Sequence, residues 1–149
     1  WELCEVTDRV IVASHSNCRV LAGGDSLAVA RRQRHLTDAQ IREITRRGGV
    51  IGLNLFSLFL RPGCEEPRRA TIDDCVAHVE HVCGLAQHRR GVGLGSDFDG
   101  GFSALRLPEG IDGPEDLCKI ADALAARGWS TDEVRGFASG NWRRVFPAV

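Results

Sequence analysis

The chain has 149 residues, of which 43% are hydrophobic and 26% charged, a balance typical of one globular domain that can bury a core. Its 19 basic and 20 acidic side chains give a formal net charge of −1, which argues against a nucleic-acid-binding surface and against attraction to anionic lipid. No apolar run approaches the roughly 18 residues that cross a membrane, so no membrane segment is predicted and a cytoplasmic location is favoured.

The chain begins at Trp1, contains no methionine and shows nothing like a signal peptide at its start. This start predicts a fragment or a processed piece of a longer protein. The six cysteines are widely spaced and form no C-x-x-C pair, so neither a zinc knuckle nor a redox motif is predicted. We expect reduced thiols, several of them acting as small buried hydrophobes.

The first predicted element is a buried strand at residues 10–13, which runs out into the polar segment Ser14-His15-Ser16-Asn17. A helix is predicted next, capped by Thr37 and ended by Gly48-Gly49. Residues 50–55 then form a second apolar run, which predicts a second buried strand.

A second helix is predicted to open at Thr71, with apolar positions at the 3.6-residue period. The third strand, at 91–95, leads directly into Ser96-Asp97-Phe98-Asp99-Gly100. Two further helices are predicted, one from Pro114 to Gly128 and one at the capping box Ser130-x-x-Glu133. Because strands alternate with helices, the predicted class is α/β with parallel crossovers.

His15 lies where the first predicted strand ends, between two serines. Ligands and catalytic groups collect at the carboxyl ends of parallel strands, so this position suits a metal ligand held by a rigid element. The alternative is a histidine that caps the strand or bonds a nearby carbonyl. Position alone leaves both open.

Asp97 and Asp99 flank Phe98 at the end of the third strand. If the segment stays extended, the two carboxylates point to opposite sides, and only one of them takes part in chemistry. We prefer Asp97, which is nearer the strand, and expect Asp99 to order the turn into Gly100. The alternative is that both carboxylates serve the turn.

Other candidate side chains have weaker support from position. His78 and His81 are spaced to share a metal, but a packed or surface histidine is the simpler interpretation. His88 lies in a basic loop. Arg34, next to His35, could clamp a carboxylate or simply be solvated. The sequence contains no G-x-S-x-G elbow, no glycine-rich phosphate loop and no H-E-x-x-H motif.

Five segments resemble, in the same order, segments of the membrane (renal) dipeptidase family. They are 12–19 (V-A-S-H-S-N-C-R), 34–38 (R-H-L-T-D), 48–52 (G-G-V-I-G), 93–100 (G-L-G-S-D-F-D-G) and 140–146 (G-N-W-R-R-V-F). Matches that occur in the same order over almost the whole chain are far stronger evidence of a family relationship than any single match.

The resemblance implies a metal-dependent (β/α)8 TIM barrel in which two zinc ions activate a bridging water to attack the peptide bond of a dipeptide. It implies that His15 is a zinc ligand, that Asp97 on the last barrel strand handles the proton, and that Arg34 binds the substrate carboxylate. It also implies a homodimer.

Two departures from the family pattern accompany the resemblance. About eight residues, near 26–33, are inserted between His15 and Arg34, and His35 replaces the usual asparagine. The family's remaining metal ligands, a His-x-Asp pair, a glutamate and another histidine, are expected upstream of Trp1.

Residues 1–149 are therefore expected to form the carboxyl-terminal portion of one barrel domain, with about three strands and their following helices. The predicted function is zinc-dependent dipeptide hydrolysis in the complete protein. The alternatives are an inactive truncated remnant and another amidohydrolase-like metalloenzyme.

Overall fold

The computed structural model describes residues 2–26, 28–64 and 67–146, and its description leaves out the side chains of residues 29–31. Trp1, at which we predicted the start of a fragment, lies outside the described residues.

A short parallel sheet lies at the centre of the fold. Strand β1 (Ile51–Leu53) pairs in parallel with strand β2 (Val92–Leu94), with Ile51 opposite Val92. Both strands lie within the predicted apolar runs, and the helix predicted to connect them is present. The α/β class is confirmed, with strands shorter than predicted.

The strand predicted at residues 10–13 is wrong as a regular strand. Ala13 alone forms a bridge, parallel to Ile51, through hydrogen bonds to Val50 O (3.0 Å) and from Gly52 N (2.8 Å). Val10 is 50% exposed. Strand geometry is maintained by partners along its length, and the described residues supply a partner on the β1 side only.

Eight α-helices lie in the described part of the chain. They are α1 (Glu2–Val6), α2 (Val29–Arg34), α3 (Asp38–Arg46), α4 (Ser57–Leu60), α5 (Ile72–Ala86), α6 (Cys118–Ala126), α7 (Thr131–Arg135) and α8 (Asn141–Val145). Short 3-10 turns occur at Gly24–Ser26, Ala104–Arg106 and Pro114–Leu117, and a π turn at Gly136–Gly140 joins α7 to α8.

The helices predicted from capping signals are confirmed. Thr37, Thr71 and Ser130 each accept from the backbone N–H three residues on, and the side chain of that third residue bonds back to the cap. Each reciprocal pair satisfies two backbone donors that the first helical turn leaves without partners. Helices α1, α2, α4 and α8 were not predicted, because each is too short for a full apolar period.

Helix α5 packs over the sheet and forms the middle of the core. Its side chains Val76, Val79 and Val82 are at most 2% exposed, and they belong to one apolar cluster with Ile51 and Val92. Burial of each such side chain contributes about 1.5–3 kcal/mol to folding. Helices α3 and α6 both pack against α5, and α3 also contacts β1.

The edge of β2 that faces away from β1 is covered by side chains of α8. Asn141 Nδ2 donates to Val92 O (2.7 Å) and to Arg89 O (3.0 Å), and Trp142 Nε1 donates to Leu94 O (2.8 Å). These bonds satisfy two strand carbonyls that no other strand in the described ranges reaches.

All six cysteines are free thiols, as predicted, and Cys18, Cys64 and Cys75 are buried. Among the helices that the structure describes, none has the combined length and apolar character of a membrane-crossing segment.

Candidate active site at the carboxyl edge of the sheet

The polar segments that follow the strands meet at one edge of the sheet. Ser16 N donates to Gly52 O (2.9 Å), and Leu55 N donates to Ser96 O (3.3 Å). These bonds bring three segments together that are distant in sequence. The convergence is the arrangement expected where parallel strands end.

Two glycines permit this close approach. A Cβ at Gly52 would lie 2.0 Å from Ser14 O, and a Cβ at Gly95 would lie 2.1 Å from the same oxygen. Because the obstructing atoms belong to the backbone, they cannot move aside cheaply. The Ser14 carbonyl therefore occupies space that any larger residue at either position would need.

Buried amides connect the three segments. Asn17 and Asn54, which are 2% and 0% exposed, bond reciprocally: Asn54 N donates to Asn17 Oδ1 (3.0 Å), and Asn17 Nδ2 donates to Asn54 O (3.0 Å). Asn17 Nδ2 also donates to Phe59 O (3.1 Å). Asn54 Nδ2 donates to Asp97 Oδ2 (2.8 Å). The carboxylate of Asp97 is thus tied to a rigid polar network.

Asp97 has a left-handed backbone, with φ of +58°, so the segment does not stay extended as the alternation argument assumed. This conformation costs a non-glycine residue about 1 kcal/mol or more. Gly100 N donates to Asp97 O (3.0 Å), so Asp97 itself closes the turn that we had assigned to Asp99. Asp99 is exposed, whereas Asp97 is partly buried.

His15 is partly buried at the same edge, in a turn that directly follows Ala13. Its Nδ1 lies 2.6 Å from the Ser14 hydroxyl. A serine hydroxyl can orient a histidine ring by bonding one of its nitrogens. This contact occupies Nδ1 and leaves Nε2 as the ring nitrogen available to bind a metal ion.

Arg34, at the end of α2, reaches the same loop. Its Nη1 donates to Ser16 Oγ (3.3 Å), and its guanidinium carbon lies 5.3 Å from the centre of the Phe59 ring. Phe59 packs edge-on against Phe56, which packs in turn against Phe102. A cavity of about 380 Å³ opens beside Phe56 and Phe102. Arg34 therefore lies at the junction of the His15 loop and an aromatic surface.

His78 and His81 do not share a site. His78 is 2% exposed, accepts from Cys18 N at Nδ1 (3.1 Å) and contacts Leu60 O through Nε2 (2.8 Å), so it is the neutral packed histidine that position favoured. Burial lowers the pKa of His78 to about 4. His81 pairs with Asp38 at 2.8 Å.

His35, which stands where the family pattern has asparagine, is also buried. Its ring lies edge-on to Phe59 at 5.0 Å, and its Nδ1 has no hydrogen-bond partner among the described residues. Burial, followed by the nearby His78 and Arg34, lowers the pKa of His35 to about 4. His35 thus supports the aromatic surface as a neutral ring.

The described residues do not form a complete metal site. No group of three or more His, Cys, Asp or Glu side chains among them is arranged to hold a metal ion. A catalytic zinc takes three protein ligands, and this edge of the sheet supplies His15 as one suitable donor. A histidine nitrogen is a suitable zinc ligand, but one histidine is too few to hold the ion.

Asn54 was missed as a site residue because it lies inside an apolar run and was treated as part of the strand. A fully buried amide in such a run needs hydrogen-bond partners, and that requirement is the signal that could have identified it. Phe59 was missed because nothing in the sequence links it to Arg34, 25 positions earlier.

A second groove, of about 770 Å³, lies at the opposite end of β2, between the end of α5 and helix α7. Arg89 stacks over Trp129 there, at 4.6 Å from the ring centre, and pairs with Glu133 at 2.5 Å. These groups are satisfied by each other, and the groove is separate from the polar network around Asp97.

A family model described as membrane dipeptidase, peptidase family M19, matches residues 1–149. An uncharacterized dipeptidase of Schizosaccharomyces pombe is 34% identical over 121 residues, covering 80% of this chain and 25% of that protein. Dipeptidase AclJ of Aspergillus oryzae is 29% identical over 147 residues, covering 97% of this chain and 31% of that protein.

Among solved structures, a metallopeptidase from Rhodobacter sphaeroides, bound to a phosphinate mimic of the dipeptide L-Ala-D-Ala, superposes with a TM-score of 0.78 at 28% identity. The match covers 97% of this chain and 37% of that one. The chain spans at most half the length of the curated relatives it matches.

Proposed function

Because the chain belongs to the membrane dipeptidase family, peptidase family M19, we propose that it is the carboxyl-terminal part of a zinc-dependent dipeptidase with a (β/α)8 barrel. In that protein, residues 1–149 supply the last strands of the barrel with their helices. The full-length protein, meaning this chain together with the upstream part that the proposal requires, performs the reaction.

The observation that carries the proposal is the placement of Asp97. Its carboxylate is fixed at the carboxyl end of β2 by Asn54, on the same edge of the sheet as His15 and Arg34. A carboxylate in this position can accept the proton of an attacking water and return it to the leaving amine.

His15 contributes one metal ligand through Nε2, with its ring oriented by the Ser14 hydroxyl. Together with upstream ligands, His15 would hold the zinc, which would lower the pKa of a water and make it a nucleophile. Arg34 binds the free carboxylate of the dipeptide, because a guanidinium pairs with a carboxylate through two parallel hydrogen bonds. The Phe59 ring packs against the Arg34 guanidinium and helps to hold it in place.

The test compares the full-length protein with the isolated 149-residue chain. We expect the full-length protein to contain about two zinc ions per chain, to hydrolyse dipeptides, to lose activity with a chelator and to regain it with zinc. The isolated chain should do none of these. A full-length protein that ignores dipeptides but cleaves other amides points to the amidohydrolase alternative, and an isolated chain that hydrolyses dipeptides removes the claim that it is incomplete.

The homodimer also remains a prediction. Sedimentation of the full-length protein checks it directly.

A further inference from the structure

Asn54 directly follows the apolar strand β1, and its side chain has no solvent exposure. Its backbone N and O, its Nδ2 and its Oδ1 each have a hydrogen-bond partner. Its backbone N and O both bond to Asn17, while its side chain reaches in two other directions. Burying an amide without such partners costs several kcal/mol. The surrounding groups therefore match the hydrogen-bonding needs of an asparagine at this position.

The orientation of the side-chain amide is determined by its surroundings. Oδ1 accepts from Phe56 N (2.8 Å), and Nδ2 donates to Asp97 Oδ2 (2.8 Å). A flipped amide would place its NH2 against the Phe56 N–H and its oxygen against a carboxylate oxygen, and both contacts would be repulsive. Asn54 therefore presents a donor to Asp97 in one direction only.

The other carboxylate oxygen of Asp97 lies beside Gly100. A Cβ at Gly100 would lie 2.6 Å from Asp97 Oδ1, so the turn residue lies directly against that oxygen. Oδ2 is held by Asn54, and Oδ1 lies beside Gly100, where no side chain intervenes. One donor still leaves other lone pairs on the carboxylate able to receive a proton.

We propose that Asn54 is a positioning residue that fixes the orientation of the Asp97 carboxylate for proton transfer. The inference rests on the proposed role of Asp97 in the reaction. It adds a residue that directly follows β1 and that acts only through Asp97. A purely structural Asn54, which would only join the ends of the strands, is the competing explanation.

A double-mutant cycle in the full-length protein separates the two. We expect Asn54→Ala to lower kcat about 10- to 100-fold, the cost of a misplaced catalytic group, while KM and zinc content change less than about twofold. In an Asp97→Asn background, the same substitution should change kcat less than about twofold, since the group that Asn54 orients is already lost. An equal loss in both backgrounds would overturn the proposal.

Two further variants keep the test sharp. Asn54→Ser, which retains a small polar group, replaces the alanine variant if that protein fails to fold. Asn141→Ala is the matched control, because it removes another buried amide that bonds the opposite end of the sheet. It should lower thermal stability but leave kcat of the folded protein unchanged.

A readout independent of turnover completes the design. With asparagine-selective 15N labelling, the Asn54 side-chain amide should exchange slowly with solvent, and Asp97→Ala should shift its resonances and speed that exchange. Unchanged resonances would overturn the contact itself. Normal turnover in Asp97→Asn, with the amide still coupled to Asp97, would instead show that the proposed role of Asp97 had failed, and would remove the catalytic purpose of Asn54 with it.

Discussion

Gly100 lies against the carboxylate of Asp97 so closely that a single added carbon would come within 2.6 Å of Oδ1. The same glycine donates its backbone N–H to Asp97 O (3.0 Å). Gly100 thus contacts both the backbone carbonyl and the carboxylate region of Asp97, and its N–H closes the turn that the left-handed backbone of Asp97 begins. A substitution of Asp97 by a residue that adopts the same backbone conformation therefore tests the role of the carboxylate alone.

Asparagine adopts the left-handed region readily, so Asp97→Asn preserves the turn while removing the proton acceptor. We expect the full-length variant to keep its zinc and to lose about 10²- to 10⁴-fold in kcat, the usual contribution of a general acid–base group. Asp99→Asn, two positions on and exposed, is the control and should have near-normal kcat. Near-normal turnover in Asp97→Asn would remove Asp97 from the mechanism.

His15→Asn should lower the zinc content of the full-length protein, because it removes a ligand while retaining a polar side chain of similar reach. Metal analysis by mass spectrometry after dialysis measures the change. His88→Asn changes a histidine in the loop before β2, at the opposite end of the sheet, and should keep its metal. Full zinc occupancy in His15→Asn contradicts the assignment.

Arg34→Lys retains the charge but loses the planar fork that pairs with a carboxylate. We expect KM for dipeptides to rise at least about tenfold, the order of a lost charge-assisted hydrogen bond, with a smaller change in kcat. Arg32→Lys alters a neighbouring arginine that faces Asp25 at 3.8 Å, and should leave KM unchanged. Dipeptide amides, which lack the free carboxylate, should bind both Arg34→Lys and the parent protein weakly.

The burial of His78 leads us to expect that the free energy of unfolding falls in acid. Its pKa is lowered to about 4 in the folded state by burial, whereas an unfolded histidine has a pKa of about 6.5. The unfolded chain thus binds the extra proton first, and the stabilisation present above pH 6.5 is lost as the pH falls towards 4. Between pH 7.5 and 5 this amounts to about 2 kcal/mol.

Urea unfolding at the two pH values measures that difference. His78→Gln should reduce it, leaving the part due to His35, whose pKa is lowered in the same direction. His88→Gln provides the reference, since that side chain is not deeply buried. A variant at position 78 with an unchanged pH dependence would show that His78 is not the group responsible.

The features that could be predicted from the sequence are those with local causes. The capping boxes at Thr37, Thr71 and Ser130 act over three residues, and each predicted helix is present. The apolar runs identified β1 and β2 for the same reason. Strand bounds were less accurate, because the length of a strand depends on partners elsewhere in the chain.

The candidate site was predicted in part. His15, Asp97 and Arg34 were identified through position and family resemblance, and their roles remain predictions. The contact of Asn54 with Asp97 joins residues 43 positions apart, which no local pattern reveals. The left-handed backbone of Asp97 was likewise hidden, because aspartate adopts that region only in particular turns and the motif does not show which turn forms.

The two sides of the sheet differ in what they offer to another polypeptide. Beyond β2, the carbonyls of Val92 and Leu94 already accept from Asn141 and Trp142, so an incoming segment would first have to displace these side chains. Along the Ala13 segment, no described residue bonds to the outer side. Closing a barrel needs partners on both sides, so upstream strands should join freely at the Ala13 side but must displace or accommodate Asn141 and Trp142 beyond β2. In an isolated chain, the Ala13 side is therefore where unwanted self-association would begin.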